Sequence, residues 1–362
     1  MVRPRAKLRF PWSTGRARLL PLAVLALALT SCSFIEIDSP LTIFEPAGPF
    51  AERIDGLFWP VFWTAVVVFF LVQGAILFAV FAFRDRPGRK EPKQTHGNAA
   101  LEITWTVIPT LILAVLAVPT VQAVFDLTKC GDDAMVIEVI GHQWWFEYVY
   151  PEHGGITTAN VLVMPEDQEV CATMTSEDVM HNFWIPALNG KRYLVPGQTT
   201  ILRLQADEPG EYWGHCAEFC GLSHSLMRAR AQVVTAEEFD AWIAAQSQPA
   251  EVPAEGTPEW EGLQVFLNKG CTACHAVDFA DGSGVDDVVR ARGTFRGPNL
   301  THFASRHVFA GAYLPSEDIG YDEALTEWLA NPPLVKPGSF MPDLGLTGEE
   351  ISDLIAWLKS NT

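Results

Sequence analysis

Positively charged side chains are scarce in this sequence. Only 25 lysines and arginines stand against 43 aspartates and glutamates, and the formal net charge is −18. Six of the basic residues, and no acidic residue, fall within residues 1–31, so removing that segment leaves a formal charge of −24. This acidic balance argues against nucleic-acid binding. An excess of acidic residues favours a basic protein partner. The alternative is that the acidic surface serves only solubility.

Internal repeats are also absent, which argues against a repeat array. With 362 residues, the chain is too long for one small domain, and we expect two or three compact domains.

The first residues are typical of an export signal. A basic stretch precedes an apolar run at 19–29, and the sequence LTSC at 29–32 resembles a bacterial lipobox. That resemblance implies that Cys32 is diacylated and becomes the mature N-terminus. A plain signal peptide with an incidental cysteine is the alternative. We therefore predict that residues 1–31 are a signal peptide of the lipoprotein type.

Two long stretches, at about 59–83 and 103–125, contain no charged residue and are each long enough to cross a bilayer. The short loop between them holds most of the nearby positive charge, at Arg84, Arg86, Arg89, Lys90 and Lys93. The positive-inside rule places this loop in the cytoplasm, so everything after the second stretch lies outside. We predict a transmembrane hairpin over 32–130 in a bacterial cell membrane. Core helices of a soluble protein are the alternative.

The pattern changes after the second stretch. Segments 135–150, 169–175, 199–205 and 226–234 are rich in β-branched and aromatic residues and are separated by turn signals, which predicts an all-β sandwich or barrel over 131–245. Residues 246–258 are rich in proline, alanine and glutamate and indicate a flexible linker. Beyond it the periodicity is helical, with a capping-box pattern at Thr347 and Glu350, so we predict an all-α domain over 259–362.

Four potential metal ligands fall within residues 216–227, CAEFCGLSHSLM, and a fifth lies upstream. Cys216 and Cys220 are four residues apart, His224 and Met227 follow, and His181 lies upstream. Thiolate, imidazole and thioether together form the soft set that selects copper. A structural zinc site requires a second ligand pair, and none follows nearby. A Cys216–Cys220 disulfide is the alternative in an exported domain, but it leaves the histidines and the methionine unexplained.

The pattern C-x-E-x-C-x3-H-x2-M with an upstream histidine resembles the copper domain of cytochrome c oxidase subunit II. The resemblance covers residues from about 40 to 235 and implies a cupredoxin-like Greek-key barrel that holds a binuclear CuA centre. It implies bridging thiolates at Cys216 and Cys220, one histidine ligand per copper at His181 and His224, a weak ligand at Met227, and a backbone carbonyl ligand at Glu218. It also implies that the Glu218 carboxylate reaches a magnesium ion shared with subunit I.

Two further residues match the same family. The stretch GHQWWF at 141–146 resembles its aromatic segment beside the copper, which implies that Trp144 receives electrons from cytochrome c. The family more often has tyrosine and then tryptophan where Trp145 and Phe146 stand, so the roles of these neighbours stay open. An aromatic strand packed on the barrel is the alternative for Trp144. Glu102 matches a glutamate at the entrance of a proton path in subunit I, although a solvated interfacial acid is also possible.

Residues 271–275, CTACH, form the C-x-x-C-H signature of covalent c-type haem attachment. Cys271 and Cys274 supply the thioether links and His275 supplies the proximal ligand. A thioredoxin-like C-x-x-C site is the alternative, but the sequence lacks the βαβ frame that such a site requires.

The sixth haem ligand is predicted to be a downstream methionine, because His/Met ligation gives the potential of an electron carrier. Met341 is the only methionine after the attachment motif. Its setting, SFMP at 339–342, resembles the methionine loop of class I cytochromes c, and GPNL at 297–300 resembles their proximal loop. His302 and His307 are rival ligands that we interpret as surface or structural residues.

Two cysteines remain outside both motifs. Cys130 and Cys171 lie near the starts of predicted strands in the exported domain, where a disulfide is permitted. A bond and two free thiols are equally compatible with the sequence.

The fused arrangement as a whole resembles subunit II of caa3-type oxidases. It implies electron transfer from an external donor, cytochrome c or a bc1-type complex, to haem c, then to copper and to haem a of subunit I. Subunit I, with other oxidase subunits beside it in the lipid membrane, would reduce dioxygen and pump protons, since no residue here provides a dioxygen site. The alternatives are the electron-input subunit of a related nitric oxide reductase and a stand-alone membrane electron carrier.

Overall fold

The computed structural model describes residues 39–85, 87–88, 94, 96–280, 282–283, 297–315 and 318–362. The predicted signal peptide with Cys32, and most of the basic residues of the predicted cytoplasmic loop, lie outside these residues. Within the first compact unit, residues 1–42, the described part is a turn in which the Thr42 amide donates to the Ser39 carbonyl at 3.0 Å. The elements described below belong to the second unit, residues 43–362.

Two long helices come first, α1 at Pro49–Phe83 and α2 at Ala99–Leu127. Both are long and apolar enough to cross a membrane. They extend beyond the predicted spans because an apolar run marks only the part in lipid, whereas helical hydrogen bonding continues to the next cap. At α2 that cap is the side chain of Asn98, which accepts from the amides of Ala100 and Leu101.

Ten strands in the described residues form two five-stranded sheets. The strands are β1 Met135–His142, β2 Trp145–Tyr150, β3 Ile156–Ala159, β4 Val161–Pro165, β5 Val170–Ser176, β6 His181–Trp184, β7 Arg192–Leu194, β8 Thr200–Leu204, β9 Gly210–Cys216 and β10 Arg228–Val234. The sheet orders are β3-β2-β1-β5-β8 and β4-β10-β9-β6-β7, with parallel pairs at β1/β5 and β4/β10. Alternate residues of β1, such as Ile137 and Val139, are fully buried, as the period of a half-buried strand requires.

One predicted strand segment, 135–150, is in fact a hairpin. β1 and β2 pair antiparallel with His142 opposite Trp145, so Gln143 and Trp144 form the two-residue turn. The sequence did not reveal the turn because it lacks the asparagine–glycine type of signal that marks such hairpins. Trp144 therefore lies at a loop tip between the strands.

Arg203 on β8 joins the sheet to the helices. Its guanidinium donates to both carboxylate oxygens of Glu169, at 2.8 and 2.7 Å, and to the carbonyl of Asp126 in α2. It also lies 4.3 Å from the ring centroid of Phe50 in α1. One side chain thus links β8, the residue before β5 and both long helices.

A disulfide reinforces the same joint. Cys130, just after α2, is bonded to Cys171 in β5, with the two Cα atoms 5.8 Å apart. The structure therefore decides between the two possibilities that the sequence left open.

The C-terminal part is helical: α3 Ala236–Gln246, α4 Pro258–Asn268, α5 Tyr321–Ala330, α6 Pro332–Val335 and α7 Gly348–Ser360. The buried ring of Trp357 in α7 packs on Phe266 in α4 with centroids 4.6 Å apart. The predicted capping box is present, since Thr347 and Glu350 exchange side-chain and backbone hydrogen bonds. The predicted order of apolar helices, all-β domain and all-α domain is confirmed.

The segment predicted as a flexible linker is partly held in place. Ala250 is buried, its amide donates to the Asp278 carbonyl at 2.8 Å, and its carbonyl accepts from Ala280 at 3.1 Å. In addition, Val308 and Ala312 pack into the core of the β domain. Composition indicated a flexible linker, and it gave no sign that this backbone would pair with the helical domain.

We predict that Arg203→Met weakens the joint between the sheet and the helices. The charge-assisted hydrogen bonds to Glu169 are lost, which should lower the free energy of unfolding by about 1–2 kcal/mol. Thermal unfolding of the solubilised protein measures this loss. Arg192→Met, which removes one hydrogen bond to a backbone carbonyl, is the matched control and should change stability less.

The same variant predicts a pH dependence. The hydrogen bond from Arg203 lowers the pKa of Glu169 from its ordinary value of 4.5. A carboxylate with a depressed folded-state pKa stabilises the fold above its unfolded pKa, and this contribution is lost as the pH falls through the folded value. The difference between wild type and Arg203→Met should therefore shrink on acidification below about pH 4.5. A difference that stays constant there would contradict the assignment.

Candidate copper and haem sites

The proposed copper ligands come together on the loop between β9 and β10. Arg228 pairs with His215, and the Cys216 amide donates to the Met227 carbonyl at 3.0 Å, so the loop leaves and rejoins the sheet at neighbouring positions. Within it the sulfurs of Cys216 and Cys220 are 3.7 Å apart and buried. At this distance they are not disulfide-bonded, and both thiols are free.

Each sulfur has its own imidazole. His181 Nδ1 lies 3.9 Å from Cys216 Sγ, and His224 Nδ1 lies 3.6 Å from Cys220 Sγ. The Met227 sulfur is 3.9 Å from Cys220 Sγ. Ligand atoms bound to one metal at about 2.0–2.3 Å are about 3.3–3.8 Å apart in a tetrahedral arrangement. The spacing and the soft donor set therefore fit copper.

His181 is oriented by its surroundings. Its Nε2 lies 2.8 Å from the Asp178 carboxylate, which turns Nδ1 toward the sulfurs. A Cβ at Gly141 would lie 2.7 Å from the His181 ring, so only glycine leaves room for it. Burial lowers the pKa of His181, but the hydrogen bonds with Asp178 and Cys216 outweigh burial and raise it overall. Sequence analysis missed this role of Asp178.

The two thiols are coupled through a hydrogen bond. This bond lowers the pKa of Cys216 and raises the pKa of Cys220. Metal binding requires both cysteines as thiolates, and the lowered pKa of Cys216 favours that form.

Glu218 lies at the edge of the same group. Its carbonyl oxygen is 3.2 Å from Cys216 Sγ, which suits the predicted role as a carbonyl ligand. Its carboxylate is engaged with the hydroxyl of Tyr193, and this hydrogen bond raises the pKa of the tyrosine. The His/Cys/Cys group that the described residues form does not include this carboxylate.

The proposed haem ligands line a single cavity of about 260 Å³. Cys271, Cys274 and His275 come from the short 3-10 turn after α4 and its continuation, and Met341 comes from the loop before α7. The His275 Nδ1 lies 2.8 Å from the Pro298 carbonyl, which leaves Nε2 available as a ligand.

Two features fit a haem group in this cavity. A Cβ at Gly297 would lie 2.4 Å from the His275 ring, so the proximal loop can approach the imidazole only as glycine. Burial lowers the pKa of His275, which keeps the imidazole in the neutral form that binds iron.

Trp144 lies between the two sites. It lines the haem cavity, its indole N–H donates to the Cys220 carbonyl at 3.0 Å, and its ring stacks on Phe340 with centroids 5.9 Å apart and planes at 12°. Gly221 and Gly338, both at positive φ, approach it so closely that a Cβ at either would lie within 2.9 Å of the indole. Sequence analysis did not identify Phe340 or these glycines as neighbours of Trp144.

The neighbour Trp145 has a different environment. Its ring stacks on His142, with centroids 4.3 Å apart, and His142 Nε2 is 2.9 Å from the buried Glu147 carboxylate. It also lines the haem cavity, but its stacking partner belongs to the β domain.

The remaining candidates are placed elsewhere. Glu102 in the first turn of α2 accepts a hydrogen bond from the Asn98 amide at 3.2 Å. His302 is hydrogen-bonded to Thr362 through its Nδ1, and His307 forms an ion pair with Glu211. Neither histidine lines the haem cavity. This placement agrees with the interpretation of both histidines as surface or structural residues.

Three family models match successive parts of the chain. That for the transmembrane domain of cytochrome c oxidase subunit II matches residues 39–123, that for its periplasmic domain matches 155–234, and that for cytochrome c matches 260–362. Together they cover both helices, much of the β domain and nearly all of the helical domain.

Full-length relatives share the same arrangement. The chain is 40% identical over 359 residues to cytochrome c oxidase subunit 2 of Alkalihalophilus pseudofirmus, an alignment that covers 96% of this chain and 98% of the relative. It is 32% identical over 362 residues to cytochrome c oxidase subunit 2 of Bacillus subtilis, with 94% and 96% covered. A solved structure, the periplasmic domain of subunit II of the cytochrome oxidase of Bradyrhizobium japonicum, is 27% identical, with 33% of this chain and 96% of that chain covered and a TM-score of 0.32.

Proposed function

Because the chain belongs to the cytochrome c oxidase subunit II family and is an electron-transfer subunit of that enzyme, we propose that Trp144 carries electrons from its haem domain to its copper loop. The protein spans the membrane twice, and its copper and haem domains lie on the outer side. Copper and haem c are its cofactors and supply one-electron redox chemistry when bound.

At the copper loop, the residues are proposed to hold a binuclear centre. Cys216, Cys220, His181 and His224 would hold the metals, with Met227 and the carbonyl of Glu218 as further ligands. The support is the pairing of donors, since each sulfur has its own imidazole within 3.9 Å. Burial of both sulfurs keeps water away, so the ligands are held rigidly and rearrange little when the charge changes.

In the haem domain, Cys271 and Cys274 are proposed to form the thioether links, with His275 and Met341 as axial ligands. The Pro298 carbonyl fixes the orientation of the His275 ring. All four side chains line the same cavity.

The observation that carries the proposed route is the position of Trp144. Its ring stacks on Phe340, the residue before the proposed axial methionine, and its N–H contacts the carbonyl of the proposed ligand Cys220. A path of few steps therefore runs between the two proposed sites, made of covalent bonds, one hydrogen bond and one stacked pair of rings.

Other oxidase subunits are its partners, as the family requires. We further propose that Glu102 lies at the entrance of a proton path in subunit I, and that the Glu218 carboxylate reaches a magnesium ion shared with that subunit. The electron donor is proposed to be cytochrome c or a bc1-type complex. The relatives described above are oxidase subunits, which favours the oxidase over a nitric oxide reductase and over a stand-alone carrier.

We predict two coppers per chain. Elemental analysis of the purified protein should give this ratio, and Cys220→Ser should abolish the mixed-valence spectrum, because a bridging thiolate serves both metals. His215→Asn, beside Cys216 in β9 but outside the proposed ligand set, is the control and should keep both coppers. Detection of a single zinc ion or of one blue copper per chain would contradict the assignment of a binuclear copper centre.

We predict that Met341→Ala keeps the haem attached but removes the methionine-to-iron charge-transfer band. The thioether links depend on Cys271 and Cys274, whereas that band depends on the sixth ligand. His307→Asn, which alters a rival ligand, should retain the band. Survival of the band in Met341→Ala would show that another residue binds the iron.

The function itself is tested at Trp144. Trp144→Ala should slow flash-induced electron transfer from haem to copper, with both metal spectra unchanged, since the ring bridges the domains without binding either metal. Trp145→Phe removes the neighbouring indole, which stacks on His142, and should leave the rate near that of wild type. If Trp144→Ala transfers electrons from haem to copper at the wild-type rate, then Trp144 contributes only to packing.

A further inference from the structure

Lys336 is a buried lysine at the junction of the two domains. Its side chain is 4% exposed, and Nζ donates to two carbonyl oxygens, that of Trp144 at 2.5 Å and that of Ala310 at 2.7 Å. The first belongs to the β1–β2 hairpin and the second to the helical domain. A buried ammonium is costly, so it needs such bonds to remain charged.

The surroundings are built around this ammonium. A Cβ at Gly311 would lie 2.3 Å from Nζ and 2.4 Å from the Trp144 carbonyl oxygen, and Gly311 also has a positive φ of 80°. Only glycine at position 311 lets the helical domain approach the Trp144 hairpin so closely that Lys336 can donate to a carbonyl of each. The Gly311 carbonyl in turn accepts from the Arg228 amide at 2.8 Å, which ties the same loop to β10.

Lys336 begins the segment that ends at the proposed axial ligand, residues 336–341. After Lys336, the Pro337 carbonyl accepts from the Ser223 hydroxyl at 2.6 Å, Gly338 lies under the Trp144 ring, and Phe340 stacks on that ring. Successive residues of one short segment therefore contact the Trp144 hairpin and the copper loop.

We infer that Lys336 is a positioning residue: its ammonium pins the Met341 loop to the Trp144 hairpin and so fixes the stacking of Trp144 on Phe340. This role rests on the proposed function, because it concerns the route through Trp144. It adds a residue that binds neither metal and fixes the position of the Met341 loop relative to the Trp144 hairpin.

Burial acts against the charged form of Lys336 and lowers its pKa to about 7. The hydrogen bonds to the Trp144 and Ala310 carbonyls stabilise the ammonium. A neutral methionine would fill a similar volume and avoid the desolvation cost, yet it would leave the carbonyls of Trp144 and Ala310 without their donor.

The test uses the full chain in the assembled oxidase, with Lys336→Met, Lys336→Gln and the control Lys359→Met. Lys359 is exposed and pairs with Asp322, away from the junction. Lys336→Met should slow haem-to-copper transfer about tenfold, the effect of about 1.4 kcal/mol of lost hydrogen bonding, with both metal spectra unchanged. Lys336→Gln retains N–H donors and should recover part of the rate, whereas general loosening of the fold would not be rescued in this way.

A second measurement needs no variant and no electron transfer. In the wild-type oxidase, an amine-acylating reagent should modify Lys359 while Lys336 remains unmodified, as peptide mass spectrometry can record. Equal modification of the two lysines would overturn the pinning role. A wild-type transfer rate in Lys336→Met would do the same.

The two measurements also separate this inference from the proposed route. Protection of Lys336 together with an unchanged rate in Trp144→Ala would mean that the domains are pinned but electrons pass elsewhere. A slow Trp144→Ala variant together with a reactive Lys336 would mean that the route holds but the lysine does not fix it.

Discussion

The approach of two buried cysteine sulfurs to 3.7 Å, in a loop closed by paired strands, is the constraint on which the rest of the structure depends. Burial of these sulfurs disfavours the thiolate form. The hydrogen bonds of Cys216 with Cys220, His181 and backbone groups outweigh burial and lower the pKa of Cys216. The β sheets serve this arrangement, since β6 brings His181 to the loop and the register of β9 with β10 closes it.

A second requirement is that two domains of different architecture meet within contact distance of one indole. Trp144 can stand between them because it lies at the tip of a hairpin, and because glycines on both sides leave no Cβ in the way. Hydrogen bonds of Ser223, Arg228 and Lys336 anchor the helical domain to the β domain around this ring. Such anchoring limits how freely the haem domain can swing, in contrast to the flexible tether that the linker composition indicated.

The attachment to the membrane helices follows the same principle. Arg203 and the Cys130–Cys171 bond hold the sheet to α1 and α2 at one point, by a charge-assisted network and a covalent link. A copper loop that must deliver electrons to a membrane-embedded partner has to keep a fixed position relative to the helices. The joint provides that constraint without using any residue of the metal sites.

Local patterns in the sequence determined the two apolar helices, the all-β and all-α parts and the capping box at Thr347, and they led to both proposed ligand sets. The structural elements could be predicted because hydrophobic period and capping are short-range properties of the chain. Tertiary structure alone decided the Cys130–Cys171 bond, the hairpin turn at Trp144, the ordered path of Ala250 and the junction at Lys336. Each of these depends on residues far apart in the chain, such as Lys336 and Trp144. The residues next to Lys336 in the sequence do not indicate that its side chain will donate to the Trp144 carbonyl.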